Sequence, residues 1–159
     1  MSYFHQIHFN TLDEKGRIVI PAAFRRDAPP EILASDFWIS PDREGFLTVR
    51  PDPVWKRYVA FVESLSLDVR TKRSYLRGLH ATVQRTSIDR QNRLVLAPQM
   101  RKVLTGERNN DKEEVVIVGS GTYFELWPRD RFEGEDTILD TLSKLRDQVE
   151  GIVGEGFSG

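Results

Sequence analysis

The sequence predicts an α+β fold in which two copies of one small β-rich unit are joined by helices. Three observations support this. The run TLDEKGRIVIPAAFR at 11–25 occurs again, without a gap, as SIDRQNRLVLAPQMR at 87–101. A second pair of similar runs, GFLTVRP at 45–51 and TYFELWP at 122–128, follows at nearly the same separation. Between and after the copies lie segments whose apolar residues recur at helical spacing.

The first copy reads as strand, turn, strand and short helix. Apolar and polar residues alternate over 5–9, which predicts a strand. Asp13–Gly16 predicts a turn, because glycine accepts a positive φ that side chains resist. The apolar run 18–20 predicts a second, buried strand. Pro21 suits the first turn of a helix, so a short helix is expected from Pro21 to about Asp27.

The second copy differs from the first at two structurally sensitive positions. Gly16 is replaced by Asn92, and asparagine is the side-chain-bearing residue that best tolerates the left-handed region. The turn is therefore expected to survive. Pro21 is replaced by Ala97, but Pro98 follows at once, so the start of the second helix is expected to shift by one residue.

Each copy closes with a hairpin, formed by 37–39 and 45–51 in the first copy and by 115–117 and 122–128 in the second. The turns of these hairpins are predicted at Pro41–Gly45 in the first copy and at Gly119–Gly121 in the second. The predicted organisation is a first repeat at 7–54, a helical linker at 55–82, a second repeat at 83–130, and a C-terminal helix and tail at 131–159.

The helical segments have one apolar face each. Asp52-Pro53 starts the linker, whose first helix carries Trp55, Tyr58, Val59, Val62 and Leu65 on one side. Near the C-terminus, a heptad stripe consists of Ile138, Leu142, Leu145, Val149 and Ile152. Two functions for this stripe remain open, packing against its own domain or contact between subunits. The glycines from Gly151 to Gly159 predict a frayed tail.

Composition places the chain among ordinary globular proteins. It has 159 residues, of which 39% are hydrophobic and 30% are charged. No run approaches the roughly 20 apolar residues that a membrane helix needs, and the first ten residues lack the features of a secretion signal. The absence of cysteine excludes disulfides, thiolate metal sites and thiol catalysis, and it favours a cytoplasmic protein.

The net charge of −1 conceals a strong segregation of charge. Residues 68–101 carry eight Arg and Lys against two acids, whereas residues 111–159 carry five against twelve. A local basic field attracts a phosphate backbone even when the whole chain is nearly neutral. The alternative is that these are two solvated faces of opposite sign.

The residues do not predict an enzyme, a cofactor or a metal site. His5 and His8 would lie on opposite faces of a strand and so cannot share a metal. Asp13 and Asp89 open turns, where aspartate commonly bonds its own backbone. The sequence contains no phosphate-binding glycine loop, no nucleophile elbow and no His-Glu-x-x-His motif.

Binding to nucleic acid is better supported. Lys15 and Arg17 lie at the tip and flank of a predicted hairpin, and Arg90 and Arg93 take the comparable places in the second copy. Arginine suits a bidentate grip on phosphate or guanine, and a two-stranded ribbon fits the major groove. The alternative for Arg17 is a salt bridge to Asp13 that fixes the turn. Both could hold, because a carboxylate can also orient a guanidinium.

The motif Asp-Glu-Lys-Gly-Arg-Ile-Val-Ile-Pro-x-x-x-Arg resembles the swapped-hairpin domain of AbrB/SpoVT-type DNA-binding proteins. Two such units joined by a helical segment resemble the MraZ family of transcriptional regulators, and the resemblance covers roughly residues 5–132. It implies two swapped-hairpin units around a pseudo-twofold, barrel-like core. It also implies a ring-forming homo-oligomer, associated with the nucleoid, that binds short direct repeats of double-stranded DNA at the promoter of the division and cell-wall gene cluster, usually as a repressor.

The resemblance maps DNA contacts onto Lys15 and Arg17, and by extension onto Arg93 in the second copy, with Arg90 beside it. Asp13, Gly16, Asp89 and Asn92 would support the two turns. Gln91 and Asn92 stand where the motif has lysine and glycine. The first hairpin is therefore expected to read bases, while the second serves assembly or phosphate contact.

A rival hypothesis from another class is an antitoxin-like or scaffold protein whose hairpin fold holds a protein partner. Only six residues follow Val153, a short tail for wrapping a toxin. The sequence leaves open the operator, the ring size, repression against activation, any small effector, and whether the second repeat contacts DNA.

Overall fold

The computed structural model describes residues 1–106, 112–132 and 134–156, and within them the chain is mixed α/β, with antiparallel sheets and six helices. The chain divides into two compact units, Met1–Arg129 and Asp130–Gly159. The elements of the first unit are β1 (Ile7–Asp13), β2 (Arg17–Val19), α1 (Ala22–Asp27), α2 (Pro30–Leu33), β3 (Asp36–Pro41), β4 (Leu47–Pro51), α3 (Asp52–Ser64), α4 (Val69–Thr82), β5 (Gln84–Ser87), β6 (Arg93–Val95), α5 (Pro98–Thr105), β7 (Lys112–Gly119) and β8 (Phe124–Pro128). The second unit contains α6 (Glu135–Gly156).

The main sheet has six antiparallel strands in the order β1-β7-β8-β4-β3-β5. The first strand of each copy lies at an edge of this sheet and pairs with the third strand of the other copy, so that β1 pairs with β7 and β5 pairs with β3. The hairpins β3–β4 and β7–β8 meet at the centre, where β4 pairs with β8. When each strand is replaced by its counterpart in the other copy, the same order is obtained, read from the opposite edge. The two repeats therefore contribute equivalent strands to one sheet.

A second, two-stranded sheet consists of β2 and β6, one strand from each copy. Ile18 lies opposite Leu94, and both side chains are fully buried. Beyond the ladder, the Ile20 N–H donates to the Asn92 carbonyl at 2.8 Å and the Leu96 N–H donates to the Gly16 carbonyl at 2.7 Å. The backbone groups beside each turn are therefore satisfied by the other copy.

This pairing corrects the hairpin expected within each copy. β1 and β2 flank the first turn but belong to different sheets, and β2 takes its ladder partner from the second copy. A three-residue strand with one buried side chain gains little from a local partner. Pairing β2 with β6 lets Ile18 and Leu94 bury their side chains together in the common core.

The first strand also begins later than predicted, at Ile7 instead of residue 5. Gln6 has a φ of 71°, which interrupts the extended backbone before the strand. Phe4 instead exchanges backbone hydrogen bonds with Gly121, at 2.8 and 2.9 Å. Gly119 makes this possible, because a Cβ there would lie 2.5 Å from the His5 nitrogen.

The helix after each turn starts at the same repeat position, so the predicted one-residue shift is wrong. α1 begins at Ala22 and α5 at Pro98, which are equivalent residues. Pro21 and Ala97 both precede their helices as N-caps. The preceding β2 and β6 strands fix where the chain leaves the ladder, and this outweighs the preference of proline for the first helical position.

The core of the first unit draws on both copies. Phe4, Phe24 and Phe124 form a cluster of rings whose centroids lie 4.9–5.2 Å apart. The second unit is different, because the stripe of α6 keeps 41–71% of each residue exposed at Ile138, Leu142, Leu145, Val149 and Ile152. α6 continues through Gly151 and Gly154 to Gly156, and Gly159 lies outside the described residues. None of the described helices is long and apolar enough to cross a membrane.

The two-stranded ladder makes a direct prediction about stability. Leu94→Ala removes a fully buried side chain opposite Ile18 and should lower the free energy of unfolding by about 2–5 kcal/mol. The matched control is Val95→Ala on the same strand, a residue that is 42% exposed and whose truncation should cost much less. Urea denaturation followed by circular dichroism measures both. Equal destabilisation in the two variants would contradict the importance we assign to the shared ladder.

Candidate nucleic-acid interface

The first candidate turn is organised by the carboxylate of Asp13. Its Oδ1 accepts hydrogen bonds from the backbone N–H groups of Lys15 and Arg17, both at 2.9 Å, and its Oδ2 accepts one from Arg17 Nε at 2.6 Å. The Gly16 N–H closes the turn onto the Asp13 carbonyl at 3.0 Å. Gly16 has a φ of 77°, a conformation that glycine adopts without strain.

The second turn repeats this geometry with different residues at its tip. Asp89 Oδ1 accepts from the N–H groups of Gln91 (2.8 Å) and Arg93 (2.9 Å), and Oδ2 accepts from Arg93 Nε at 2.9 Å. Asn92 has a φ of 61°, the left-handed conformation expected where it replaces glycine. The Asp-x-x-x-Arg spacing thus encodes a closed turn with an internal salt bridge in both copies.

These hydrogen bonds stabilise the charged form of each aspartate. Partial burial raises the pKa of Asp13, but the backbone and guanidinium donors of Arg17 and the N–H of Lys15 outweigh it and lower the pKa below its usual value. The pKa of Asp89 is lowered in the same way, since the donors of Arg93 and Gln91 outweigh the effect of burial. At neutral pH both carboxylates are therefore ionised, and each holds its arginine in one orientation.

The arrangement leaves part of each arginine available to a partner. The side chains of Arg17 and Arg93 are 32% and 24% exposed, and each guanidinium reaches its aspartate through Nε. The terminal nitrogens, which form the outer edge of the fork, have no hydrogen bond within the described part of the chain. The salt bridge therefore engages Arg17 through Nε and leaves its side chain partly exposed.

Lys15 and Arg90 are both exposed, and each stays at the turn of its own copy. The two turns lie at opposite ends of the antiparallel β2–β6 ladder. Asn92 lies level with Ile20, about four residues along β2 from Gly16, so the two turn residues are roughly 13 Å apart along the ladder. One chain therefore presents two separate basic tips. It does not present one continuous basic ribbon.

Arg101 is a residue whose importance the sequence did not reveal. It belongs to α5 in the second copy, yet its Nη1 donates to the Glu14 carbonyl of the first turn at 3.0 Å. A Cβ on Gly16 would lie 2.7–2.9 Å from three atoms of this guanidinium. The signals in the sequence were the repeated arginine, Arg25 and Arg101, and the glycine retained only at position 16.

Among the described residues, the second turn has no hydrogen bond from Arg25 that matches the bond from Arg101 to the first turn. Arg25, the counterpart of Arg101, donates its Nε to the Ile20 carbonyl at 3.3 Å. An open groove of about 440 Å³ lies beside this turn, and Arg25, Asp89 and Asn92 are among its lining residues. The two turns share their internal hydrogen bonds but differ in what packs against them.

Within residues 1–106, 112–132 and 134–156, no group of three or more His, Asp or Glu side chains is placed to hold a metal ion. His8 instead makes a hydrogen bond through Nε2 to the His5 carbonyl, 3.0 Å away, and its ring lies edge-on to Phe24.

A chain with two intertwined repeats, one shared antiparallel sheet and an aspartate-closed basic turn in each copy is a tandem-repeat β-rich protein with a duplicated basic surface. The family model described as "MraZ protein, putative antitoxin-like" matches residues 4–78 and 80–146. The chain belongs to the MraZ family.

Relatives of known name are similar over most of their length. The "Transcriptional regulator MraZ" of Leuconostoc citreum is 30% identical over 148 residues, which cover 93% of this chain and 95% of the relative. The protein of the same name from Herpetosiphon aurantiacus is 29% identical, over 84% of this chain and 85% of the relative. That of Moorella thermoacetica is 30% identical, over 79% of this chain and 81% of the relative.

The hydrogen bonds at Asp13 predict how the turn responds to acid. The folded-state pKa of Asp13 should lie below the ordinary 3.8, so its contribution to stability is present at neutral pH and is lost as the pH falls through that lower value. Carboxyl chemical shifts measured by NMR during a pH titration test this directly. Arg17→Gln should move the pKa of Asp13 upward and leave that of Asp89 unchanged. A wild-type Asp13 that titrates at or above 3.8 would contradict the assigned hydrogen bonds.

Proposed function

We propose that this protein is a sequence-specific DNA-binding transcription regulator that acts as a repressor. The observation that carries the proposal is the aspartate-oriented arginine beside an exposed lysine on the first turn, in a chain whose relatives are named transcriptional regulators. An oriented guanidinium with a free outer edge suits bidentate contact with phosphate or with the edge of guanine.

In this proposal Lys15 and Arg17 read the DNA, and Arg90 and Arg93 contribute phosphate contacts or assembly. Asp13, Gly16, Asp89 and Asn92 hold the two turns. The exchange of strands between repeats supports an AbrB-like, swapped-hairpin organisation of the core. The repeat boundaries at 7–54 and 83–130, with the linker and C-terminal segments between and after them, belong to the same proposal.

The DNA target we propose is a set of short direct repeats at the promoter of the division and cell-wall gene cluster, and the site of action is the cytoplasmic nucleoid. One small turn has a limited contact area and should bind weakly. Several copies of the chain in a homo-oligomeric ring would present one first turn each to successive repeats. Linking weak sites in this way raises affinity through effective concentration, provided that the spacing of the repeats matches that of the turns.

The apolar stripe of α6 supports assembly of several copies. Its side chains recur at heptad spacing and remain substantially exposed, and contiguous exposed apolar surface commonly marks a protein contact. Of the positions that flank the stripe, Leu139, Thr141, Gln148 and Val153 are uncharged and Arg146 carries a charge, so a second helix would meet little repulsion. We therefore propose a contact between subunits as the function of α6.

The second candidate is an antitoxin-like or scaffold protein, which the description of the matching family model also mentions. The two candidates differ in what the turns recognise, DNA or a protein. Capturing partners of the tagged chain from cells, with and without nuclease treatment, separates them. Partners that disappear on nuclease treatment support the regulator, and a stoichiometric protein retained after it supports the alternative.

Arg17→Ala should abolish detectable operator binding. Each subunit gives up an interaction worth about 1–3 kcal/mol, and the effect is multiplied across linked subunits. Binding is measured by fluorescence anisotropy at matched salt, with the DNA upstream of the chain's own gene as probe. Arg57→Ala on the exposed surface of α3 is the control for removal of one arginine. Circular dichroism and size measurement check that fold and assembly persist. A variant that binds as tightly as wild type would refute the assigned role of Arg17.

The spacing of the DNA repeats gives an independent test. Inserting about five base pairs between repeats rotates neighbouring sites to opposite faces of the helix, so linked subunits can no longer engage both. We expect affinity to fall sharply, and an insertion of about ten base pairs to restore part of it. Affinity that does not depend on spacing would contradict multivalent binding.

A further inference from the structure

We infer that Arg101 is a positioning residue for the first turn, and that its presence there makes the two turns unequal. The positioning of the turn by Arg101 concerns only the conformation of the free protein. The consequence for DNA rests on the proposed function. The two parts are separable by experiment because the free turn can be observed without any DNA.

Arg101 reaches the first turn from α5, 87 positions away in sequence, and donates Nη1 to the Glu14 carbonyl at 3.0 Å. Its Nε is buried and makes no hydrogen bond within the described residues. The burial of this atom shows that the guanidinium packs against the protein and does not extend into solvent.

Two constraints act on the residue at position 16, backbone conformation and space. A positive φ alone does not require glycine, because Asn92 adopts a φ of 61° at the equivalent position. The additional constraint is space, since a Cβ on Gly16 would lie 2.7 Å from Arg101 Nη2. Gly16 therefore serves both the turn and the guanidinium that lies across it.

The two turns differ in the residue at their tip and in the hydrogen bonds that they accept from the other copy. Asn92 is the counterpart of Gly16, so the second turn carries a side chain at the position where the first turn has none. Arg25 lines the groove beside Asp89 and Asn92, but it donates its Nε to the Ile20 carbonyl in its own copy. The backbone of the first turn therefore accepts a hydrogen bond from Arg101, and the backbone of the second turn accepts none from Arg25 in the described part of the chain.

The consequence for binding is pre-organisation. A turn that is already held in one conformation loses less conformational freedom when it meets its target. The turn that carries Lys15 and Arg17 is the one that Arg101 covers. We therefore assign DNA reading chiefly to the first turn, with Arg101 acting through the backbone at Glu14 and not through contact with DNA.

Amide hydrogen exchange of the DNA-free protein tests the structural part. The N–H groups of Lys15 and Gln91 make equivalent bonds to Asp13 and Asp89, so each serves as the reference for the other. In the wild type, Lys15 should exchange more slowly than Gln91. Arg101→Gln should accelerate exchange of the Lys15 amide by about fivefold, the factor that corresponds to removal of one hydrogen bond. Exchange of the Gln91 amide should stay unchanged.

Two further variants separate positioning from a general decrease in stability. Arg25→Gln, the matched substitution in the first copy, should leave Lys15 exchange unchanged. Gly16→Asn copies the second turn into the first, so it preserves the turn but displaces Arg101. Its effect on Lys15 exchange should match that of Arg101→Gln, and the double variant should add little to either. Independent, additive effects would overturn the inference, as would a Lys15 amide that does not respond to Arg101→Gln.

The DNA part is tested by the affinity of Arg101→Gln at several salt concentrations. Positioning predicts an affinity about fivefold weaker per turn with an unchanged dependence on salt. If Arg101 instead neutralised a phosphate directly, the substitution would reduce the salt slope by about 0.9 for each phosphate, and this result would overturn the positioning role. A wild-type protein that binds no DNA would refute the proposed function, whereas the response of Lys15 exchange would still decide the structural part.

Discussion

The pairing of β2 with β6 is the constraint on which the first unit depends. It joins two strands that are 76 positions apart in the chain, buries Ile18 against Leu94, and satisfies the backbone beside both turns. Neither repeat can supply this ladder alone, because each contributes one three-residue strand. The repeats are consequently parts of a single folding unit, and the two basic turns lie at opposite ends of that joint ladder.

The turns combine rigidity with exposure. A carboxylate that accepts two backbone N–H bonds and one guanidinium bond fixes the chain direction at the tip, and it also sets the orientation of the arginine. Because Nε is the atom that meets the carboxylate, the outer edge of the guanidinium stays available. Structural and functional interpretations of Arg17 are therefore compatible, since one salt bridge serves the turn and aims the side chain.

Duplication has produced similar turns in different surroundings. Both copies retain the aspartate and arginine that close the turn, and they diverge at the tip, where Gly16 and Lys15 correspond to Asn92 and Gln91. The divergence alters the packing of the partner repeat, because Arg101 covers the first turn and Arg25 bonds within its own copy. A small change of side-chain volume at one position thus changes how the two copies meet.

The residues alone predict the duplication, the two closed turns, and the β3–β4 and β7–β8 hairpins, because each depends on neighbouring residues whose backbone preferences are strong. Asp13 and Gly16, for example, specify their turn through local hydrogen bonds and a permissive φ. The tertiary structure decided which strand pairs with which, where the helices start, and that Arg101 lies on the first turn. These features depend on burial and on interactions between residues far apart in the chain, and no local pattern encodes the partner of a three-residue strand or the reach of one arginine.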